Sequence, residues 1–568
     1  MQTQAYDPES FKGDKPFCDV VLKGGVTSGV VYPLAIVELA RRYRLKNIGG
    51  TSAGAIAAAV AAAAERARDT GGFPRAAALA DFVSRNLLSL FQPHPHLRPL
   101  FEIALSTLRE TRPRLRILRA LWTAARGYRQ ATLLGLVPAI LALVAAWASA
   151  NAWALVAALL AAPIGCALAL GWHLHDVVVH ELPRHDFGIC PGLRQPRASG
   201  PALIDWLADA LDDVAGLRAS GRPLTFADLW GSSPEEPRIN LEILTTNLTA
   251  GRPYRVPFRR RFLFREQEFA QLFPQRIVRW LVDHSQPYAE DASYRWLPAN
   301  ADLPVIVAVR LSLSFPLLLA AVPLYDPEFC FEGTGSKLQR CWFSDGGVCS
   351  NFPIHFFDSI WPRWPTFGFS LEDFEEGRHE HRVLLPTAGS ATGVQNFKRV
   401  DSLGSFLQAI LHAMQGWRDH LQSALPGYRE RVVRVRLRPD EGGLNLHMPP
   451  QQIESLSELG AQAGRTLHEF EWPAHRWRRY VISMARFEGT LERMRRTYGT
   501  ADTPSALAEF LERYAPTPPF AQSAEWQRDA REDALDLMHT LDRWLGRTRL
   551  RDGEIPKPDV DLRITPQV

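Results

Sequence analysis

The sequence predicts an α/β protein: a three-layer α/β/α domain with a mostly parallel sheet, an inserted apolar helical hairpin and a helical C-terminal extension. Three observations predict it. The first seventy or so residues read strand, glycine loop, helix, strand, tight turn, helix, which is how a parallel sheet begins. An uncharged stretch, residues 131–172, interrupts the chain. Beyond about Gln451 the pattern turns helical and rich in Arg and Trp.

The elements follow in order. Residues 1–16 are polar and carry no signal-peptide apolar core. The β-branched run 18–22 ends at Gly24-Gly25, and a helical pattern spans about 30–43. A second short strand, 45–48, ends at Gly49-Gly50, and an Ala-rich helix runs from Ala53 to about Arg68. Later strands are expected at 241–246, 342–344, 367–371 and 431–437; residues 305–308 read as strand or helix. The run 431–437 alternates apolar and basic residues and so reads as an edge or half-exposed strand. The organisation is therefore a polar segment 1–16, a main domain 17–372 that carries the insertions, and a C-terminal region 373–568 with one strand followed mostly by helices. The polar tail from Asp552 is expected to end in coil.

The uncharged stretch is long enough for two bilayer-spanning helices of ~20 residues each. Ser149-Ala150-Asn151 would form a polar tip between them, with Trp147 and Trp153 beside the tip and Trp172 at the far end. Two spans return the chain to the side it left. Residues 108–130 hold seven arginines against one acid, Glu110. That segment reads as a basic amphipathic helix lying on an anionic leaflet, with the main domain on the cytoplasmic side. The competing reading is a helical hairpin buried in a large soluble core.

Formal charge is only +4, which gives no argument for nucleic acid. The six cysteines form no CxxC pair and read as reduced thiols. His173, His175, His180 and His185, with Asp176 and Asp186, follow no common metal-ligand spacing and read as interfacial polar residues. No metal and no cofactor is expected.

Chemistry is concentrated in three glycine-bearing clusters at strand ends, where open α/β sheets place their sites. Gly50-Thr51-Ser52-Ala53-Gly54 is a GxSxG pentapeptide between a strand and a helix. In that context it is a nucleophile elbow, a cramped turn that needs small neighbours and exposes Ser52 near a helix N-terminus. Gly24-Gly25-Val26-Thr27-Ser28-Gly29 also joins a strand to a helix. Its backbone N–H groups at Gly24, Gly25 and Val26 are oxyanion-hole candidates; a phosphate-binding loop ranks lower because neither GxGxxG nor GK[ST] is present. A serine nucleophile needs a base, and Asp345-Gly346-Gly347 places a carboxylate after the strand 342–344.

This combination resembles the patatin-like phospholipase family over most of residues 19–371, with the apolar run as an insertion. The family elbow matches Gly50, Ser52 and Gly54. Its DGG motif with a spaced Asn-x-Pro matches Asp345-Gly346-Gly347 and Asn351-Phe352-Pro353. The segments Leu244-Thr245-Thr246-Asn247 and Arg310-Leu311-Ser312-Leu313-Ser314-Phe315-Pro316 are similar to two further family segments. The resemblance implies a Ser52–Asp345 dyad without histidine, and a calcium-independent lipid acyl hydrolase of phospholipase A or lysophospholipase type working on membrane lipid at an anionic surface. The oxyanion loop departs from the family pattern at Val26, usually glycine, and at Ser28, usually basic. That leaves phospholipid and neutral ester both open as substrates. A catalytically inactive membrane scaffold and a partner-triggered membrane-damaging effector are the alternative functions, and no protein partner is named by the sequence.

Overall fold

The computed structural model describes residues 6–25, 27–109, 113–149, 152–196, 198–327, 338–377, 379–387, 400–443, 445–498, 513 and 523–546. Val26, part of the expected tip at 150–151, Cys330 and the tail from Asp552 lie outside the described residues.

The strands are β1 Phe17–Leu22, β2 Arg44–Gly50, β3 Gly188–Cys190, β4 Asn240–Asn247, β5 Arg252–Val256, β6 Leu263–Phe264, β7 Arg295–Trp296, β8 Leu317–Leu319, β9 Val322–Asp326, β10 Gln339–Asp345, β11 Thr366–Asp373, β12 Val383–Leu384 and β13 Val432–Leu437. One mixed sheet runs in the order β12-β13-β11-β1-β2-β4-β10-β9-β6-β7, with β5 paired to β4. Its centre, β13-β11-β1-β2-β4, is parallel, and every pairing outside it is antiparallel. The β3–β8 pair stands apart as a small parallel sheet. Val20, Val21 and Leu22 in β1 are fully buried, as central parallel strands covered on both faces require.

Helices α1 Tyr32–Arg42, α2 Ala53–Arg66 and α3 Gly72–Asn86 follow the first strands. α2 is nearly all alanine on its buried positions. Small side chains let it lie close to the sheet on one side and to α3 on the other. Residues 305–308 belong to a helix, Val305–Leu313, that is buried along its whole length.

The C-terminal region is part of the sheet. β13 is not the expected edge strand: it is buried throughout, parallel to β11 and covered on its other side by β12. Its arginines tolerate burial because each has an acceptor. Arg434 pairs with Glu372 at 3.6 Å, and Arg436 donates to the His381 carbonyl at 3.1 Å. Helix Pro450–Thr466 packs on α1, where Gly460 and Gly464 sit against the carbonyls of Val31 and Ala35. Helix Trp472–Tyr498 is tied down by Arg479, which donates to Asp358 at 3.1 Å and to the Ser359 carbonyl at 2.6 Å. At the other end of the chain Phe11 is fully buried and stacks on Phe73, so the polar N-terminal segment also packs on the body.

Most of the basic segment lies on helix α5 Pro113–Gly127, which follows α4 Arg98–Arg109 and precedes the hairpin helices α6 Arg129–Ser149 and α7 Ala152–Asp176. Both hairpin helices contain stretches long and apolar enough to cross a membrane. They are not buried in a soluble core: Leu134 is 69 % exposed, Trp153 79 % and Trp172 80 %. They touch each other backbone to backbone where Gly135 meets Gly165 and Cys166, the small-residue contact that lets apolar helices approach without a hydrophobic driving force.

Candidate active site

β2 delivers its last residue, Gly50, level with Ile243 of β4, and Ser52 follows two residues later. Ser52 has φ 56° and ψ −130°, a conformation costly for a residue with a side chain and held only when the surroundings dictate it. The constraints are visible. A Cβ on Gly50 would strike the Gly54 carbonyl, and one on Gly54 would strike the Leu22 and Lys23 carbonyls at the end of β1. The Ser52 N–H donates to Ser312 Oγ at 2.9 Å. The Ser52 carbonyl accepts from Ala55 at 2.8 Å, opening α2. Ser52 is therefore fixed at the positive end of the α2 dipole.

Asp345 reaches the same sheet edge from the opposite direction. β10 is antiparallel to β4 and ends with Asp345 opposite Thr245, two residues beyond the Ile243 level at which β2 stops. Two strands running in opposite senses thus end close together. Asp345 Oδ1 accepts from the Gly347 N–H at 2.7 Å, while Oδ2 is buried. Burial pushes the Asp345 pKa up to about 6, opposed by the neighbouring Ser52 hydroxyl and by the Gly347 amide. Gly346 is needed because a Cβ there would strike the Leu244 carbonyl.

The segment 310–316 supports both residues. Ser312 holds the Ser52 amide, and the Ser314 carbonyl accepts from Asp345 N at 3.0 Å and from Ser344 Oγ at 2.8 Å. Arg310 is completely buried; it donates to Ser314 Oγ, to the Ala320 carbonyl at 2.8 Å and to the Pro191 carbonyl at 3.2 Å. The sequence pointed to this segment only through its family resemblance, not through the contacts it makes.

Among the oxyanion candidates, Gly24 lies beside Ser52: a Cβ there would stand 3.1 Å from Ser52 Cβ. Its N–H, however, donates to the Asn351 carbonyl at 2.8 Å, and Asn351 Nδ2 returns a bond to the Gly24 carbonyl at 3.2 Å. Gly24 is thus a braced member of the loop whose amide is already engaged. Gly25 is crowded against Ser28 Oγ. Ser28 itself is buried. Lys23 turns away from the loop and donates to the Leu371 carbonyl at 2.8 Å.

An apolar channel opens at Ser52. Ala53, Ile56, Ala57 and Val60 of α2 form one wall, and Val83 and Trp206 face them. The histidines do not form a ligand set. His180 pairs with Asp176 at 2.9 Å on the surface, His173 packs on Tyr128, and Asp186 faces Arg340 at 3.5 Å. No group of three or more metal-ligating side chains occurs among the described residues.

The model of the patatin-like phospholipase family matches residues 20–358. A protein of Rhizobium meliloti (strain 1021) described as "RpoH suppressor" is 35% identical over 639 residues, covering 97% of this chain and 99% of its own length. Among solved structures, VipD from Legionella pneumophila is 13% identical, with 93% of this chain and 85% of that one covered and a TM-score of 0.31. Full-length ExoU in complex with SpcU, from the type III secretion system of Pseudomonas aeruginosa, is 17% identical, with 94% and 71% covered and a TM-score of 0.24. The family match over most of the main domain and the end-to-end likeness to the Rhizobium protein lead to one assignment: this chain belongs to the patatin-like phospholipase family.

Proposed function

We propose that the chain is a lipid acyl hydrolase working at a membrane surface, with Ser52 as nucleophile and Asp345 as its base. One observation carries the reading. The strained serine stands beside a buried carboxylate, at the mouth of a channel lined by hydrocarbon. An ester carbonyl seated over Ser52 would leave its acyl chain in the channel and its alcohol portion outside.

Asp345 takes the Ser52 hydroxyl proton as Oγ attacks the carbonyl carbon. Backbone N–H groups after Gly24, with Gly25 the described candidate, and the N-terminus of α2 stabilise the tetrahedral oxyanion. As the intermediate collapses, the bond to the alcohol oxygen breaks and Asp345 returns the proton to that oxygen. Water, deprotonated by Asp345, then attacks the acyl-Ser52 ester. The fatty acid leaves and Ser52 regains its proton. The hairpin α6–α7 is the membrane anchor. The arginines of α5 sit on an anionic leaflet in this reading, and their excess before Gln130 supports a cytoplasmic side for the hydrolase body.

The test is hydrolysis of defined lipid esters by the full chain, beside Ser52→Ala and Asp345→Ala. Each substitution is expected to lower turnover by at least ~10³-fold, while EDTA leaves it unchanged. Turnover near the wild-type rate in either variant overturns the dyad, and loss of activity in EDTA points to a metal instead.

A further inference from the structure

Asp419 belongs to the C-terminal region, outside the residues 20–358 that match the family. It lies on helix Leu403–Ala424 and is 4 % exposed. Its carboxylate accepts hydrogen bonds from one short stretch of chain, and the Lys23 ammonium is near enough to favour its charge. Oδ1 accepts from Ser350 Oγ at 2.8 Å, and Oδ2 accepts from the N–H groups of Asn351 at 2.7 Å and Phe352 at 2.9 Å. That stretch is the loop just after Asp345-Gly346-Gly347.

The same loop holds both halves of the site. The Asn351 carbonyl and Nδ2 grip Gly24 from its two sides, and the Ser350 carbonyl accepts from Thr51 Oγ1 at 3.4 Å, next to Ser52. Ser350 N and Cys349 N both close back on the Gly346 carbonyl. The geometry points to Asp419 as a positioning residue for acyl transfer. It fixes the 350–352 loop, and through it sets the glycine loop against Ser52 and Asp345.

A second contact from the C-terminal region acts on the same glycine loop. The Gly443 carbonyl accepts from Thr27 N at 3.3 Å and from Thr27 Oγ1 at 3.1 Å. The site is thus assembled by the C-terminal region and not merely adjoined by it. A purely structural carboxylate could sit anywhere in the interface. This one places its oxygens on Ser350, Asn351 and Phe352, of which Asn351 braces Gly24 and Ser350 touches Thr51, where a displacement of ~1 Å costs about 100-fold in rate.

The inference rests on the Ser52–Asp345 reading, and the experiment separates the two. Full-length wild type, Ser52→Ala, Asp419→Ala, Asp419→Asn and Asp419→Glu are compared on a dispersed short-chain p-nitrophenyl ester. Two inhibitors are then titrated: an alkyl trifluoromethyl ketone, which forms a tetrahedral adduct, and a fatty acid, which fills only the channel. Asp419→Ala is expected to lower kcat about 10- to 100-fold with KM within about twofold. Trifluoromethyl ketone affinity should fall by a similar factor, with fatty-acid affinity held. Asparagine keeps an oxygen for the two backbone N–H groups and should restore most of kcat. Asp419→Glu, which moves the carboxylate by one methylene, should behave like alanine and carries the test if the alanine variant does not fold. Wild-type kcat in Asp419→Ala or Asp419→Glu overturns the inference while leaving the dyad intact. So does a loss of activity that only tracks lost folded protein or lost fatty-acid affinity. Full activity in Ser52→Ala overturns the dyad reading and the inference together.

Discussion

At the scale of single residues, Asp345 is held in a state that favours function over stability. Its folded pKa is raised to about 6 by burial, against 3.8 for an ordinary aspartate. The fold therefore prefers the protonated acid, and the penalty grows as pH rises from the unfolded value through about 6. In its proposed role as base the group must be ionised, so kcat/KM should climb with pH through about 6 and level off above it. Stability should move the other way. Asp345→Asn keeps an acceptor for the Gly347 amide but carries no buried charge. It should unfold with a free energy ~2–3 kcal/mol above wild type at pH 8, and the gain should disappear below about pH 4. Denaturant titrations at the two pH values check this; an asparagine variant that is less stable than wild type at pH 8 contradicts the assignment of burial as the dominant influence. Ser52 and Asp345 were legible in the sequence because each sits in a local glycine-rich turn at a strand end. Ser312 and Ser314 were marked only by the family resemblance of their segment and Asp419 by nothing, since their work is done across contacts between segments far apart in the chain, and an ordinary serine or aspartate leaves no local mark of it.

At the scale of elements, α2 serves two functions, and its alanines are explained by both. One face lies on the sheet; the other lines the channel through Ala53, Ile56, Ala57 and Val60. From Ser52 to Val60 the helix rises ~12 Å, which matches an extended chain of about ten carbons. Ala57 lies partway down that wall, where a larger side chain would fill the bore. Ala57→Phe should therefore lower the ratio of kcat/KM for decanoyl over butyryl esters by about tenfold or more. An unchanged ratio would mean that the acyl chain does not run along α2. The sequence showed α2 as a helix, because alanine is the best helix former, but could not show which face was empty. β13 illustrates the opposite difficulty. Alternating arginines ordinarily mark a solvent face, and only the acceptors supplied by Glu372 and the His381 carbonyl make its burial tolerable. Those partners come from a strand and a loop that no local pattern connects to it.

At the scale of the whole molecule, the decisive question is how a soluble-looking α/β body and an apolar hairpin share one chain. The insertion leaves and re-enters at nearly the same place: the rings of Tyr128 and His173 are 4.7 Å apart. A single span would put Ser52 and Asp345 on opposite sides of a membrane, yet both belong to one sheet. A hairpin that enters a bilayer must therefore come back, and the helices of this one, with Leu134, Trp147, Leu159 and Trp172 largely exposed, have no protein surface covering them among the described residues. Burying a leucine-sized side chain is worth ~1.5–3 kcal/mol, so even a few of these side chains bind the protein to a bilayer more firmly than the arginines of α5, which salt would screen. Full-length protein should accordingly stay with membranes through high salt and alkaline carbonate. Excising residues 131–172 and joining the ends with a short Gly/Ser linker should release it to the soluble fraction, because the gap to be bridged is small. The excised form should retain hydrolysis of a dispersed short-chain ester and lose about tenfold or more on lipid vesicles, where the lost term is the effective concentration at the surface. Should full-length protein wash off in carbonate, the hairpin is not inserted, and its apolar faces then belong to a protein interface instead.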